Sequence, residues 1–298
     1  MRARMVINPS SGRMTSQKVA ERVIESLMAD GTLTHVDTIQ TQKVRDAYQA
    51  ARVFHDWQYD LFIAVGGDGT INEVVSGLLD GHHQTPLAII PAGTMNDFAV
   101  ARNLPRTESK ICDMIRGRNM EIVDIGRANS QYFVNVAAAG LLTDVAYKVP
   151  VESKTVLGQL AYVLEGARDL STQMIRPLHM HFETDDRQFD EDILLFLVTN
   201  TSSVGGFRNL APEALVDDGL LDVMIVHRQN VLELLPLLVQ LVNGDHVNNP
   251  KITYFQTSRL KVTCAEPCDV PLDLDGEFGG NLPVDIKVLP KALRLLVP

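Results

Sequence analysis

The run Gly66-Gly67-Asp68-Gly69-Thr70-Ile71-Asn72-Glu73 follows the apolar segment Leu61-Phe62-Ile63-Ala64-Val65 without a break. Glycines lack Cβ, so the backbone there can approach a ligand closely, and amides at the start of a following helix point toward an anion. Together they read as a cradle for phosphate. Asp68 is the unusual member. A carboxylate among phosphate-binding amides repels the ligand unless a cation or a transferable proton lies between them, so Asp68 points to magnesium or acid–base work. Thr70 with Glu73 three residues later also fits a capping box, the purely structural reading of the same residues.

Two further loops carry similar chemistry. Asn8-Pro9-Ser10-Ser11-Gly12 offers two hydroxyls and a glycine, which suit either a nucleotide phosphate or a polar turn. In Pro91-Ala92-Gly93-Thr94-Met95-Asn96-Asp97-Phe98, Thr94 is placed to cap a helix beginning near Asn96, with Asp97 three residues on. Later in the chain, Asp217-Asp218-Gly219-Leu220 is either an ordinary turn or, with neighbouring carbonyls, a site for a hard cation. Leu272-Asp273-Leu274-Asp275-Gly276-Glu277-Phe278-Gly279-Gly280 concentrates acids and glycines, as a solvated β-turn or an acidic reactive centre. Val204-Gly205-Gly206-Phe207-Arg208 could bring Arg208 to an anion or serve as a loop.

The elements that must position these residues follow from hydrophobic periodicity. Apolar segments at Arg4–Asn8, His35–Ile39, Leu61–Val65 and Leu87–Ile90 read as strands; they alternate with helices at Ser16–Met28, Val44–His55, Ile71–Leu79 and Glu108–Arg116. In an open α/β sheet ligands bind at the carboxyl ends of the strands, where all three loops should gather. From Glu121 onward the pattern becomes β-rich, with strands expected at 122–126, 131–137, 178–184, 193–200, 220–227, 252–257, 260–263 and 284–289. Helices at 155–170 and 231–242 interrupt them. The expected division is residues 1–125 and 126–290, with the last stretch, 291–298, returning to the first domain.

A chain of 298 residues can bury two cores, and 45% apolar with 21% charged residues is ordinary for a globular protein. The net charge of -10 argues against nucleic-acid binding, which needs a concentrated basic surface. The cysteines, Cys112, Cys264 and Cys268, are sparse and odd in number, which suits a reducing compartment; without a second pair or a histidine at ligand spacing, Cys264 and Cys268 read as structural. The amino terminus lacks a signal-peptide core, and the strongest apolar run, Leu232 to Val242, is too short to span a bilayer. A cytoplasmic protein is expected.

The glycine run, the Asn8–Gly12 and Pro91–Phe98 loops, Asp217-Asp218-Gly219-Leu220 and Asp275-Gly276-Glu277 occur in an order and at spacings that resemble the diacylglycerol kinase catalytic-domain family, most closely its soluble bacterial branch. The resemblance covers nearly the whole chain. It implies a Rossmann-like nucleotide-binding α/β domain followed by a β-sandwich domain, as in NAD kinase and diacylglycerol kinase, with ATP in the cleft between them and a lipid hydroxyl as phosphoryl acceptor. Carried over by motif, Asn8, Pro9, Ser10, Ser11, Gly12, Thr41, Gly66, Gly67, Asp68, Gly69, Thr70, Asn72, Glu73, Thr94, Asn96 and Asp97 would form the nucleotide site. Of these, Thr41 rests on position alone. Asp68 and Asp97 would also organise catalytic magnesium. Asp218, with the carbonyls of Leu215 and Leu220, would hold a structural Mg2+; some relatives have lysine where this chain has Leu215. Glu277 would be the base, with Asp275 its rival.

Kinase activity on another acceptor, such as phosphatidylglycerol, a sphingoid base or NAD, and an inactive nucleotide- or lipid-binding module are the competing readings. The first Asn-Pro-Ser-Ser-Gly loop and the late acids speak against NAD kinase, and the retained Asp68 and Asp97 against an inactive module. A lipid acceptor requires peripheral docking on the inner face of the cell membrane. Arg2, Arg4, Arg13, Lys18, Arg22, Lys148 and Lys154 are the candidate basic contacts. An exposed strand edge in the second domain would allow two copies to pair.

Overall fold

The computed structural model describes residues 1–11, 15–140, 178–207, 209–228, 237, 240, 244–265 and 269–298. They divide into two compact units, Met1–Ile125 with Pro290–Pro298, and Gly126–Leu289.

In the first unit, β1 (Arg2–Ile7), β2 (His35–Gln40), β3 (Leu61–Gly66) and β4 (Leu87–Pro91) form a parallel sheet in the order β2-β1-β3-β4. Every residue of β3 is buried, as expected of a central parallel strand covered on both faces. Between the strands run α1 (Thr15–Ala29), α2 (Asp46–Arg52) and α3 (Asp68–Asp80), followed by α4 (Asp97–Ala101) and α5 (Glu108–Gly117). α1 packs with α5, and α2 with α3. α1 buries Ala20, Val23 and Leu27, one stripe at helical spacing. Cys112 of α5 is a free, buried thiol facing the Val23 carbonyl; burial pushes it above the ordinary thiol range, so it is packing rather than chemistry.

The second unit is antiparallel. It comprises β6 (Gln131–Phe133), β7 (Val136–Gly140), β8 (Leu178–Glu183), β9 (Gln188–Thr199), β10 (Leu221–His227), β11 (Ile252–Thr257), β12 (Arg259–Cys264), β13 (Pro271–Leu274) and β14 (Glu277–Asn281). The boundary between the units falls inside β5 (Met120–Ala128) and β15 (Val284–Leu296), and the end of β15 joins the first sheet through Leu295 beside Leu87. The long β9 pairs β8 along its first half and β7 along its second, with β10 on its other side. One core gathers Phe133, Phe182, Phe196, Leu221, Leu260 and Leu272. A second cluster, including Val136, Phe207, Met224 and Val226, forms separately from it.

Several elements differ from expectation. α2 begins at Asp46 rather than Val44, because Arg45 takes a left-handed φ of 70° immediately before it. The strand expected at 131–137 is two, broken where the main chain at Val134 and Asn135 turns to a carboxylate from β13's hairpin. The β-turn expected within Leu272–Gly280 is present, flanked by β13 and β14, two strands that the sequence does not show because too few apolar residues alternate there. The strand expected at 284–289 and most of the last stretch, expected to return to the first domain, are continuous in β15. Cys264 is disulfide-bonded, a bond that the reading of Cys264 and Cys268 as structural did not include. The expected helix at 155–170, most of that at 231–242, and Gly12, Arg13, Lys148, Lys154, Arg208 and Cys268 lie outside the described residues. No helix among the described residues is long and apolar enough to cross a membrane.

Candidate active site

Because β1 to β4 run parallel, the loops that leave their carboxyl ends emerge at one edge of the sheet. Backbone bonds tie them to the strands: Asn8 N–H donates to the Val65 carbonyl at 3.0 Å, Thr41 to Ile7 at 2.9 Å and Ala92 to Gly66 at 2.8 Å. This brings Asn8–Ser11, Thr41, Gly67–Thr70 and Ala92–Asn96 together in the first unit. Asn8 shapes the first loop and also links it to α3. Its Oδ1 accepts from Ser10 N–H at 3.0 Å and Ser10 Oγ at 2.7 Å, while its Nδ2 donates to Thr70 Oγ1 at 3.0 Å. Ser11 Oγ donates to the Asn8 carbonyl at 2.8 Å.

The glycines bring two loops into backbone contact. A Cβ on Gly93 would stand 2.6 Å from Gly67 Cα, and one on Gly67 would stand 3.2 Å from Gly93 Cα. Any side chain at Gly93 therefore forces the loops apart. Gly69, in the first turn of α3, faces open space instead. α3 starts directly from Gly67 with no side-chain cap, so the amides of its first turn are the natural donors to an anion.

The capping readings are corrected here. Thr70 lies inside α3, accepting from Asn8, and Glu73 turns away toward α2, where its carboxylate accepts from Arg45 N–H at 2.8 Å and Tyr48 N–H at 3.4 Å. Glu73 thus holds the start of α2. Thr94 is exposed and does not cap α4, whose preceding residue is Asn96 at φ 54°. Asn96 itself is buried and closes its loop, its Oδ1 accepting from Gly93 N–H at 2.9 Å and its Nδ2 donating to the Gly93 carbonyl at 2.6 Å. Its own N–H donates to Asp68 Oδ2 at 2.8 Å. That bond sets Asp68 beside the residue preceding Asp97. Asn72 accepts from Ser76 Oγ at 3.3 Å one turn further along α3.

In the second unit, Asp275 and Gly276 form the two-residue loop between β13 and β14, with φ of 52° and 90° as a type I′ hairpin turn requires. Asp275 is a clasp. Its Oδ1 accepts from Asn135 N–H at 2.8 Å and Val136 N–H at 2.9 Å, and its Oδ2 from Val134 N–H at 2.6 Å. Glu277 is exposed at the head of β14. Asp273, for which the sequence gives no separate role, accepts the Gly276 N–H at 2.9 Å. Burial, with Asp275 and Glu277 adding to it, pushes its carboxyl up to about 6.

Before β10, Asp218 Oδ1 accepts the Leu220 N–H at 2.9 Å around Gly219, and Leu215 is exposed. The buried Asp222 follows, hydrogen-bonded to the Tyr254 hydroxyl and to Gln256 Nε2. Burial raises both the Asp222 carboxyl and the Tyr254 hydroxyl. The pairing of Asp222 with Tyr254, on strands far apart in sequence, had no signal in either segment alone.

Compared with known proteins, residues 2–128 match the diacylglycerol kinase catalytic domain, and residues 135–297 match the YegS C-terminal NAD kinase beta sandwich-like domain. A curated diacylglycerol kinase of Bacillus subtilis (strain 168) is 41% identical, the match covering 100% of this chain and 96% of that protein. The chain belongs to the diacylglycerol kinase family. A diacylglycerol kinase of Staphylococcus saprophyticus is 36% identical, with 100% of this chain and 95% of that protein covered. The crystal structure of a candidate diacylglycerol kinase from Bacillus anthracis str. Sterne shares the fold, with a TM-score of 0.84 at 24% identity over 100% of this chain and 97% of that one.

Membership of this family makes the protein an ATP-using kinase with a catalytic α/β domain and a β-sandwich-like second domain. Among the described residues no three His, Cys, Asp or Glu side chains cluster in a way that could hold a metal. The oxygen donors that are present, the Asp68 and Asp97 carboxylates at the starts of α3 and α4, suit a hard cation that keeps waters and phosphate oxygens as its remaining ligands.

Proposed function

We propose that the protein transfers the γ-phosphoryl group of ATP to the hydroxyl of diacylglycerol, giving phosphatidic acid and ADP. The observation that carries phosphoryl transfer is the contact of Gly67 with Gly93, which leaves the uncapped first turn of α3 open at the sheet edge where the other loops collect. The name shared by the full-length relatives supports the acceptor.

Asn8, Pro9, Ser10, Ser11, Gly12, Thr41 and the Gly66–Thr70 turn bind the nucleotide, with Asn96 keeping the two glycine loops in register. Asn72, Thr94 and Asp97 border the same edge. Glu73 supports the site from behind by anchoring α2. Asp68 and Asp97 are the residues that would hold magnesium, which when bound neutralises charge on the transferring phosphoryl group. Asp218, with the Leu215 and Leu220 carbonyls, would hold a second, structural Mg2+. Little covalent work falls to the protein, so alignment of the acceptor hydroxyl and charge stabilisation carry the catalysis. Glu277 accepts the hydroxyl proton as the oxygen bonds to phosphorus and the bond to the ADP oxygen breaks. Asp275 is the weaker candidate because its carboxylate already accepts three main-chain N–H groups.

The lipid is reached by peripheral docking on the cytoplasmic face of the membrane. Lys18 and Arg22 are exposed four residues apart on α1, so they share a face, and Arg2 is exposed on β1. Arg4 is otherwise engaged, donating to the Tyr59 hydroxyl at 3.1 Å with its guanidinium 4.8 Å from the ring centre. Two copies would pair along an edge strand of the second unit. A phosphorylation assay with labelled ATP and a panel of diacylglycerol, phosphatidylglycerol, sphingosine and NAD tests the acceptor. Label in phosphatidic acid is expected; preferential labelling of another acceptor contradicts the reading.

A further inference from the structure

Asp273 is a half-buried acid that the proposed chemistry leaves unused. β13 pairs with β7 so that Asp273 lies opposite Ala138, and with β14 so that Asp273 lies opposite Phe278. Directly opposed residues share a face, and alternation along β13 sends Leu272 and Leu274 into the core on the other face. Asp273 therefore stands half-buried beside an alanine and a phenylalanine, poor surroundings for a charge. It accepts the N–H of Gly276, the residue immediately before Glu277. Asp275 pins the same turn from its other side through Val134, Asn135 and Val136.

We propose that Asp273 is a positioning residue for Glu277, its carboxylate fixing the Asp275-Gly276 turn so that Glu277 is presented at one orientation to the acceptor hydroxyl. This rests on the reading of Glu277 as the base. A charged acceptor makes the stronger hydrogen bond. Protonation of Asp273 weakens its hold on Gly276, and the turn loosens. With the carboxyl raised to about 6, that happens within the working range of pH rather than below it. Among the described residues, the charges acting on Asp273 are Asp275 and Glu277 in the same hairpin; the paired stretch of β7 contributes only alanines.

The test uses the full chain with ATP, magnesium and diacylglycerol in mixed micelles. Asp273→Asn keeps an oxygen for the Gly276 N–H but cannot titrate, and every other group of the wild-type enzyme is retained. The variant is expected to lose the part of the fall in kcat that wild type shows as pH drops through about 6, at unchanged KM for ATP. Asp273→Glu keeps the charge and displaces the oxygen by one methylene; its kcat should fall about tenfold with KM for ATP unchanged, as expected of a misplaced group. A wild-type pH profile in Asp273→Asn, or a wild-type kcat in Asp273→Glu, overturns the inference. Glu277→Gln is measured alongside. Activity retained there removes the base reading itself, whereas activity lost there with wild-type behaviour in both Asp273 variants removes only the positioning role.

Discussion

Three acids within five residues do three different things. Asp275 clasps a distant main chain, Asp273 holds the turn, and Glu277 stands exposed. The sequence shows all of them but cannot separate them, because the partners of Asp275 at Val134, Asn135 and Val136 lie some 140 residues earlier. The raised carboxyl of Asp273 also carries a stability consequence. Between its ordinary 3.8 and about 6 the folded chain binds a proton that the unfolded chain has released, so stability from this group is fully present below 3.8 and lost as pH rises through about 6. The upper limit of that loss is about 3 kcal/mol for a rise of roughly two units. Asp273→Asn should therefore raise the Tm at pH 7.5 relative to wild type and show little advantage at pH 4. Equal melting curves for the two proteins at both pH values would contradict the assignment.

At the scale of elements, the strand–glycine–helix unit was legible because an all-buried strand and a helical stripe flank the turn. What local reasoning assigned wrongly were the ends. Thr70, Glu73 and Thr94 match capping patterns, but a cap is decided by where the neighbouring chain lies, and Asn8 and α2 claim the first two. The turn between β13 and β14 was legible as a β-turn, but the strands beside it were not, because β7, which pairs with β13, supplies the apolar context their own residues lack. The glycine contact yields a direct prediction. In Gly93→Ala the new methyl meets Gly67 Cα at 2.6 Å, so the loops separate and ATP affinity should drop by at least about tenfold, on the order of the cost of misplacing donors. Titration of the variant with a fluorescent ATP analogue measures it, and circular dichroism reports whether the sheet survives. Wild-type affinity would mean the contact does not shape the nucleotide site.

For the whole molecule, the net charge of -10 would repel an anionic membrane unless basic residues are concentrated locally. Reversing Lys18 and Arg22 to glutamate should reduce recovery of the protein with vesicles containing anionic lipid, and leave recovery with neutral vesicles unchanged. Equal flotation of wild type and variant on anionic vesicles would remove α1 from the docking face. The alternation of strands and helices in the first part, and the run of strands after it, made both kinds of architecture readable from periodicity alone. The disulfide at Cys264 was not, since an odd cysteine count conceals a pair.

The central claim is phosphoryl transfer at the Asp68 loop, and the most direct measurement compares wild type with Asp68→Ala using labelled ATP and diacylglycerol, with both proteins verified as folded by circular dichroism. The account predicts labelled phosphatidic acid from wild type and a rate lower by about a hundredfold to a thousandfold or more in the variant, the usual cost of removing an electrostatic contributor to the transition state. A folded Asp68→Ala protein that turns over at the wild-type rate would contradict it.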